Sequence, residues 1–292
     1  MTALQTSTVS APLAYLLHLA DNALVLGQRN AEWCSHGPIR EEDIALANMS
    51  LDLIGQARML YQHAALMSAP TLATACAALP PEGAELARGG PSLRSLAGSG
   101  ATEDSLAYFR DADAFRNYSL LELPHAGSGA ERDYAGTIVR NFLYSTLMLL
   151  VWDALQDSKD AQLAAIAAKS LKEVAYHFRH SRDWLLRLGD GTPHSQARTQ
   201  AALNRFMPYS QEFWTPTAIE SIAISDGIAA DTQSLQGRWN ELVQQALREA
   251  GLQRPALGAA LPQGKNGQHS QHLAPLLAEL QVLARAHPEA QW

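Results

Sequence analysis

The run from Phe142 to Trp152, FLYSTLMLLVW, is apolar nearly all round. A helix of that composition belongs in a core, enclosed by other helices. It sits within residues 130–156, which read as one long helix. A second long helix follows and reaches residue 188, where Gly189-Asp190-Gly191-Thr192-Pro193 stops it. Between the two lies only Asp157-Ser158-Lys159-Asp160, so short a turn that the helices must be antiparallel neighbours. Two more long helices precede them. The first starts at the potential cap Ser10, with Pro12 in its first turn, and runs to about residue 34. Its apolar stripe includes Leu13, Leu16, Leu19, Ala23 and Leu26, and Ser35-His36-Gly37-Pro38 ends it. The second spans 39–67, with Glu41, Glu42 and Asp43 favourably placed near its N-terminus and a buried face of Leu46, Met49, Leu53 and Leu60. These four helices predict an all-α fold with a four-helix bundle core, built from two related hairpins.

The rest of the chain reads as additions to that core within a single domain, 1–292. Residues 68–102 are rich in Ala, Gly, Pro and Ser and read as a flexible insertion or linker, with at most one weak helix over 72–79. A helix is expected over 103–115, then a loop over 116–129 whose Leu120, Leu121 and Leu123 pack onto the bundle. Residues 193–292 supply extra helices at 193–213, 215–224, 231–251 and 268–287, with a glycine-rich loop at 258–267. Asp231 is positioned to cap the third of these. No convincing period-2 strand pattern occurs.

Formal net charge is -7, which argues against nucleic acid and against an anionic membrane surface. No run is read as reaching the roughly 18 to 20 apolar residues of a membrane span. The first ten residues contain no Lys or Arg, so the apolar run after them does not read as a signal peptide. The two cysteines, Cys34 and Cys76, give no disulfide framework. The expected location is the cytoplasm.

Two of the long helices carry an acid followed four residues later by an imidazole or amide: Asp52 and Gln56, and Glu173 and His177. A carboxylate-bridged di-iron bundle needs one Glu from each of two helices and Glu-x-x-His from each of the other two. Many such proteins have Asp-Glu-x-x-His. In that register Asp52 and Glu173 are the outer acids, and Leu53 and Val174 occupy the positions of the ligand carboxylates. Gln56 stands where one histidine belongs; only His177 keeps its place. From Tyr134 to Trp152 there is no Asp or Glu, and none lies between Asp21 and Glu32. Neutral and aliphatic side chains cannot balance the charge of about +4 on two ferrous ions. The expectation is therefore no metal and no catalytic residue, but a buried polar cluster of Asp52, Gln56, Glu173 and His177, with Asn48 and His180 as further candidates. Such a cluster would act as a hydrogen-bonded cross-link, with Asp52 and Glu173 sharing His177. Cys34 and His36 read as a helix end rather than a zinc site, and His269 and His272, beside Lys265, as surface or capping residues.

Four blocks carry a resemblance: DNALVLGQRNAEWCSHGP (21–38), EEDIALANMSLDLIGQAR (41–58), AAKSLKEVAYHFRHSRDWLLRLGDGT (167–192) and HSQHLAPLLAELQVLARAHPEAQW (269–292). The sequence resembles the structural C subunits of bacterial phenylacetyl-CoA epoxidases over most of its length. Segment 68–102 departs from the resemblance by looking longer than its counterpart. The resemblance implies a ferritin-like fold and membership of a multicomponent monooxygenase of phenylacetate catabolism. It implies that a homologous A subunit holds the di-iron centre and binds most of the phenylacetyl-CoA. A small B subunit and a reductase with flavin, iron–sulfur and NADPH would complete the system, leaving this chain without a cofactor and capable of homodimerising when alone. Two other readings stay open on the residues alone: an independent ferritin-like enzyme with a divergent metal site, and a helical interaction scaffold.

Overall fold

A computed structural model describes residues 10–76, 101–126, 133–258 and 262–290, with only the backbone described over 69–76. The described residues form helices and no β-strand; one isolated bridge, Gln263 to Gln268, closes a loop. The long helices are α1 (Ala11–Ala31), α2 (Arg40–Cys76), α5 (Tyr134–Leu155) and α6 (Ala161–Gly189). They pack as the two expected hairpins, α1 on α2 and α5 on α6, and α2 meets α6 to join them. At Gly27 the first hairpin closes tightly. A Cβ there would lie 3.3 Å from Ile54 Cγ1 and 3.4 Å from Leu53 Cβ, so a larger residue would push α1 off α2.

α5 is the central helix. Its side chains are buried from Tyr134 through Met148, and Asp133 caps its first turn. By length and composition it is apolar enough to cross a bilayer, which corrects the expectation that no segment reaches that length. Most of its apolar stretch, 78%, is buried inside the protein, because the other helices enclose it as lipid would enclose a span.

Three element boundaries differ from expectation. α2 does not end near residue 67: it continues through Pro70 to Cys76, so residues 68–76 of the expected linker are helical. The remainder of that linker, 77–100, lies outside the described residues. The helix expected over 103–115 is only α3 (Glu103–Tyr108), followed by a 3-10 turn at Ala112–Ala114. Arg110 stops it. Its Nε donates to Leu106 O at 2.5 Å while its guanidinium turns inward to Asp21, with Tyr61 Oη also donating to Asp21 at 2.6 Å. The segment expected as a loop at 116–129 contains a buried turn of helix, α4 (Ser119–Glu122), and buries Leu120, Leu121 and Leu123 as anticipated.

The C-terminal helices are α7 (Pro193–Phe206), α8 (Ala218–Ser225), α9 (Thr232–Glu249) and α10 (Leu273–Ala286), with a 3-10 stretch at Met207–Trp214. α7 and α9 pack on the second hairpin, α8 on α1 and α10 on α3. Apolar packing is supplemented by buried charge. Trp239 of α9 donates to Leu143 O of α5 at 3.1 Å. Lys265, in a 3-10 turn at Gly264–Asn266, reaches Glu220 of α8 at 2.9 Å, and His18 of α1 lies 3.9 Å from that carboxylate. Burial pulls Glu220 upward, but His18 and Lys265 more than offset it and its pKa falls below the usual carboxylate value. His269 is likewise not a surface group. It donates to Glu122 at 2.8 Å, and both side chains are buried. Arg29 meanwhile donates to the carbonyls of Glu122 and His272. Sequence alone assigns such residue types to the surface they usually favour; here each buried charge has a partner from another segment, which no local pattern reveals.

Candidate functional site

The seam between α2 and α6 holds the residues singled out in the sequence. The helices run antiparallel, so rising numbers on α2 meet falling numbers on α6. Each acid or amide therefore reaches across to one partner. His177 Nε2 lies 3.0 Å from Asp52 Oδ2, and Gln56 Nε2 donates to Glu173 Oε2 at 2.9 Å. His177 and Gln56 are buried, whereas Asp52 is 37% exposed at its side chain and Glu173 is half-buried. Two separate pairs thus replace the single expected cluster. Glu173 bonds to Gln56 and does not share His177 with Asp52. The physical reason is the spacing itself: residues four apart stand one above the other on a helix face, so each meets its own rung on the opposite helix.

Leu53 and Val174 are fully buried, as the ligand register requires, and neither can bind a cation. Asn48 is exposed and takes no part in the seam. His180 sits one turn further along and belongs to a third group. Its Nε2 lies 2.8 Å from Glu42 Oε2, which also accepts from Tyr134 Oη at 2.5 Å. Tyr134 is held edge-on between Trp33 and Trp184. A fourth rung, His63 Nε2 to Asp160 Oδ2 at 2.7 Å, closes the other end, and Asp160 also caps α6 through Gln162 and Leu163 N–H. Glu42, Tyr134, His63 and Asp160 were not recognised in the sequence. The antiparallel register of the first two rungs does not find His63 and Asp160, since it sets residue 63 opposite residue 166 and Asp160 lies beyond that, at the cap of α6. Nothing local marks Glu42, whose position near a helix start already has a sufficient explanation in the dipole.

The other two long helices contribute amides and hydroxyls at the centre. Asn30 of α1 and Asn141 of α5 exchange reciprocal hydrogen bonds of 2.9 Å. Ser145 and Ser181 lie 3.2 Å apart across α5 and α6, and Ser181 also donates to His177 O at 2.7 Å, bracing the helix that carries the imidazole. Among the described residues no group of three or more His, Cys, Asp or Glu side chains is arranged to hold a metal ion. Two ferrous ions do not fit this interior. Leu53 and Val174 offer no donor, Asp52 and Glu173 are bonded to His177 and Gln56, and the buried Asp21 of α1 is held by Arg110 and Tyr61. What the arrangement does chemically is to join the two hairpins through charge-assisted and amide hydrogen bonds. Cys34 is exposed at the end of α1, and His36 bonds the Cys34 carbonyl at 2.9 Å, which makes the pair a helix terminus.

Fold and site together define an all-α, ferritin-like bundle whose hairpins are cross-linked by hydrogen-bonded side chains. The sequence matches the family described as phenylacetic acid catabolic protein over residues 1–292. It is also 39% identical over 279 residues to the C subunit of the 1,2-phenylacetyl-CoA epoxidase of Escherichia coli (strain K12), a match that covers 96% of this chain and 98% of that protein. The chain belongs to the phenylacetic acid catabolic protein family.

Proposed function

We propose that this chain is the non-catalytic structural subunit of a multicomponent monooxygenase that epoxidises the ring of phenylacetyl-CoA, and that it pairs with and supports a homologous di-iron subunit. The similarity to the C subunit of an epoxidase over nearly the whole length supports the assignment to the complex. One observation supports the non-catalytic role: Leu53 and Val174 fill the ligand-carboxylate positions, with the surviving acids, Asp52 and Glu173, already bonded to His177 and Gln56. Activation of O2 at two irons needs carboxylates that bridge the metals and balance their charge. An aliphatic pair supplies neither. On this reading the di-iron centre and most of the contacts to phenylacetyl-CoA belong to the catalytic subunit, and flavin, iron–sulfur and NADPH to a reductase. The complex works in the cytoplasm. The same aliphatic pair weighs against an independent metalloenzyme.

The test is co-expression with the homologous catalytic subunit, followed by size exclusion and iron analysis of each peak. Joint elution with iron only where the catalytic subunit is present supports the proposal. Stoichiometric iron in this chain purified alone contradicts the non-catalytic role, and separate elution contradicts the pairing.

A further inference from the structure

Beside the His63–Asp160 rung, a surface groove of about 500 Å³ brings two thioethers to an imidazole. Met59, His63 and Met67 of α2 all line it, together with the amides of Gln62 and Gln162. The three stand four residues apart, so they follow one another along one side of the helix at about 6 Å of rise per step. Side chains on a helix lean towards its N-terminus. Met67 therefore leans over His63, and His63 over Met59. Both methionines are partly buried, and a thioether on an unbranched stem is long and adaptable enough to reach across one turn.

The imidazole is set in the form that a metal ligand takes. His63 Nε2 donates to Asp160 Oδ2 at 2.7 Å, and Asp160 Oδ1 accepts from the Gln162 and Leu163 N–H groups, which fixes the carboxylate. A proton on Nε2 leaves the lone pair on Nδ1, which has no hydrogen-bond partner among the described residues. A carboxylate behind the second ring nitrogen is what orients metal-bound histidines and raises their basicity. Met59 Sδ already faces a cation. Lys169 Nζ of α6 lies 3.8 Å from it, on an exposed side chain free to swing into solvent.

We propose that Met59, His63 and Met67 bind a soft monovalent metal ion, the class of copper(I) and silver(I). Thioethers select soft ions, and imidazole suits copper. Zinc is a poor match, because it takes thiolates, imidazoles and carboxylates, and here the carboxylate is engaged behind the imidazole. The donors of the groove are neutral, so a single positive charge facing Asp160 suits it better than a divalent ion. The site is separate from the former iron positions at Leu53 and Val174 and does not depend on the pairing with a catalytic subunit.

The test uses the full-length chain carrying Cys34→Ser and Cys76→Ser, since a free thiolate outcompetes a thioether for such ions. Silver(I) is titrated by calorimetry, and copper(I) is titrated without oxygen against a chromophoric chelator. The six methionines are labelled at their methyl carbons for NMR. The expected result is saturable binding that shifts the methyl signals of Met59 and Met67 and leaves the other methionines in place. Met59→Leu, Met67→Leu and His63→Gln should each weaken binding at least tenfold. The leucine variants conserve volume and should keep the melting temperature of the parent. Asp160→Asn retains a capping side chain for α6 yet should weaken binding by about tenfold through the imidazole it orients. Absence of saturable silver binding overturns the proposal. So does binding left unchanged by both methionine variants, or methyl shifts confined to other methionines. Zinc(II) bound as tightly as silver would overturn the assignment to a soft monovalent ion.

Discussion

Truncating His177 to alanine tests the cross-link most sharply. The imidazole is 3% exposed and bonds Asp52 at 3.0 Å. A hydrogen bond to a charged group contributes about 1.5–3 kcal/mol, and the lower end applies because Asp52 is partly solvated. Removing a buried ring adds the cost of the space left behind, which brings the total to about 2–4 kcal/mol. For a chain of 292 residues that lowers the melting temperature by about 3–7 °C. Asp52→Ala, at a half-exposed position, should cost only about 0.5–1 kcal/mol. The double variant should be more stable than the sum of the single losses predicts, by about 1 kcal/mol, because the interaction can be lost only once. Urea unfolding of the four proteins measures the cycle. If His177→Ala unfolds at the wild-type midpoint, or the two losses simply add, the pair is not a cross-link.

Other outcomes follow from the same geometry. Replacing Leu53 and Val174 together by Glu should not create an iron site, because α5 still offers no buried carboxylate and the buried one on α1, Asp21, is held by Arg110; iron analysis should find none, and calorimetry should find the variant destabilised by several kcal/mol from buried unpaired carboxylates. Arg110→Met leaves Asp21 buried without its guanidinium and should cost about 3–5 kcal/mol in urea unfolding. Stability should also depend on pH. Burial holds the His18 imidazole below its ordinary value of 6.5, so the unfolded chain takes up the proton first and stability is lost as pH falls below about 6.5. His18→Gln should flatten that acid-side loss in melting curves. His269 acts in the opposite sense. Burial pulls it down, but Glu122 outweighs burial and raises it, so its contribution is present below about 6.5 and is lost as pH rises through the folded value. His269→Gln should remove that contribution.

The long helices were legible because each carries a continuous apolar stripe, and α6 has a firm stop at Gly189, whereas α2, with no such stop, runs on past residue 67. Leu53 and Val174 were legible for a related reason: four-residue spacing fixes which side chains share a face, so the absence of carboxylates could be read without coordinates. The pairing of the survivors was less so. Asp52 was correctly brought to His177, but Glu173 turned to Gln56, a choice made by the relative register of two helices more than a hundred residues apart in the chain. Glu42, buried with His180 and Tyr134, lies beyond any local signal. The same holds for Lys265 and His269. Charged and polar types are expected outside, and only the meeting of distant segments turns them into buried partners. The early end of α3 has this origin too, since Arg110 leaves the helix to reach Asp21.

Where the iron resides is tested most directly by measuring metal on each subunit of the purified complex after the subunits are separated. The prediction is about two irons per catalytic subunit and none on this chain. Iron retained stoichiometrically by this chain would contradict it, because Leu53, Val174, Gln56 and the Asn30–Asn141 pair could not then be what occupies its centre.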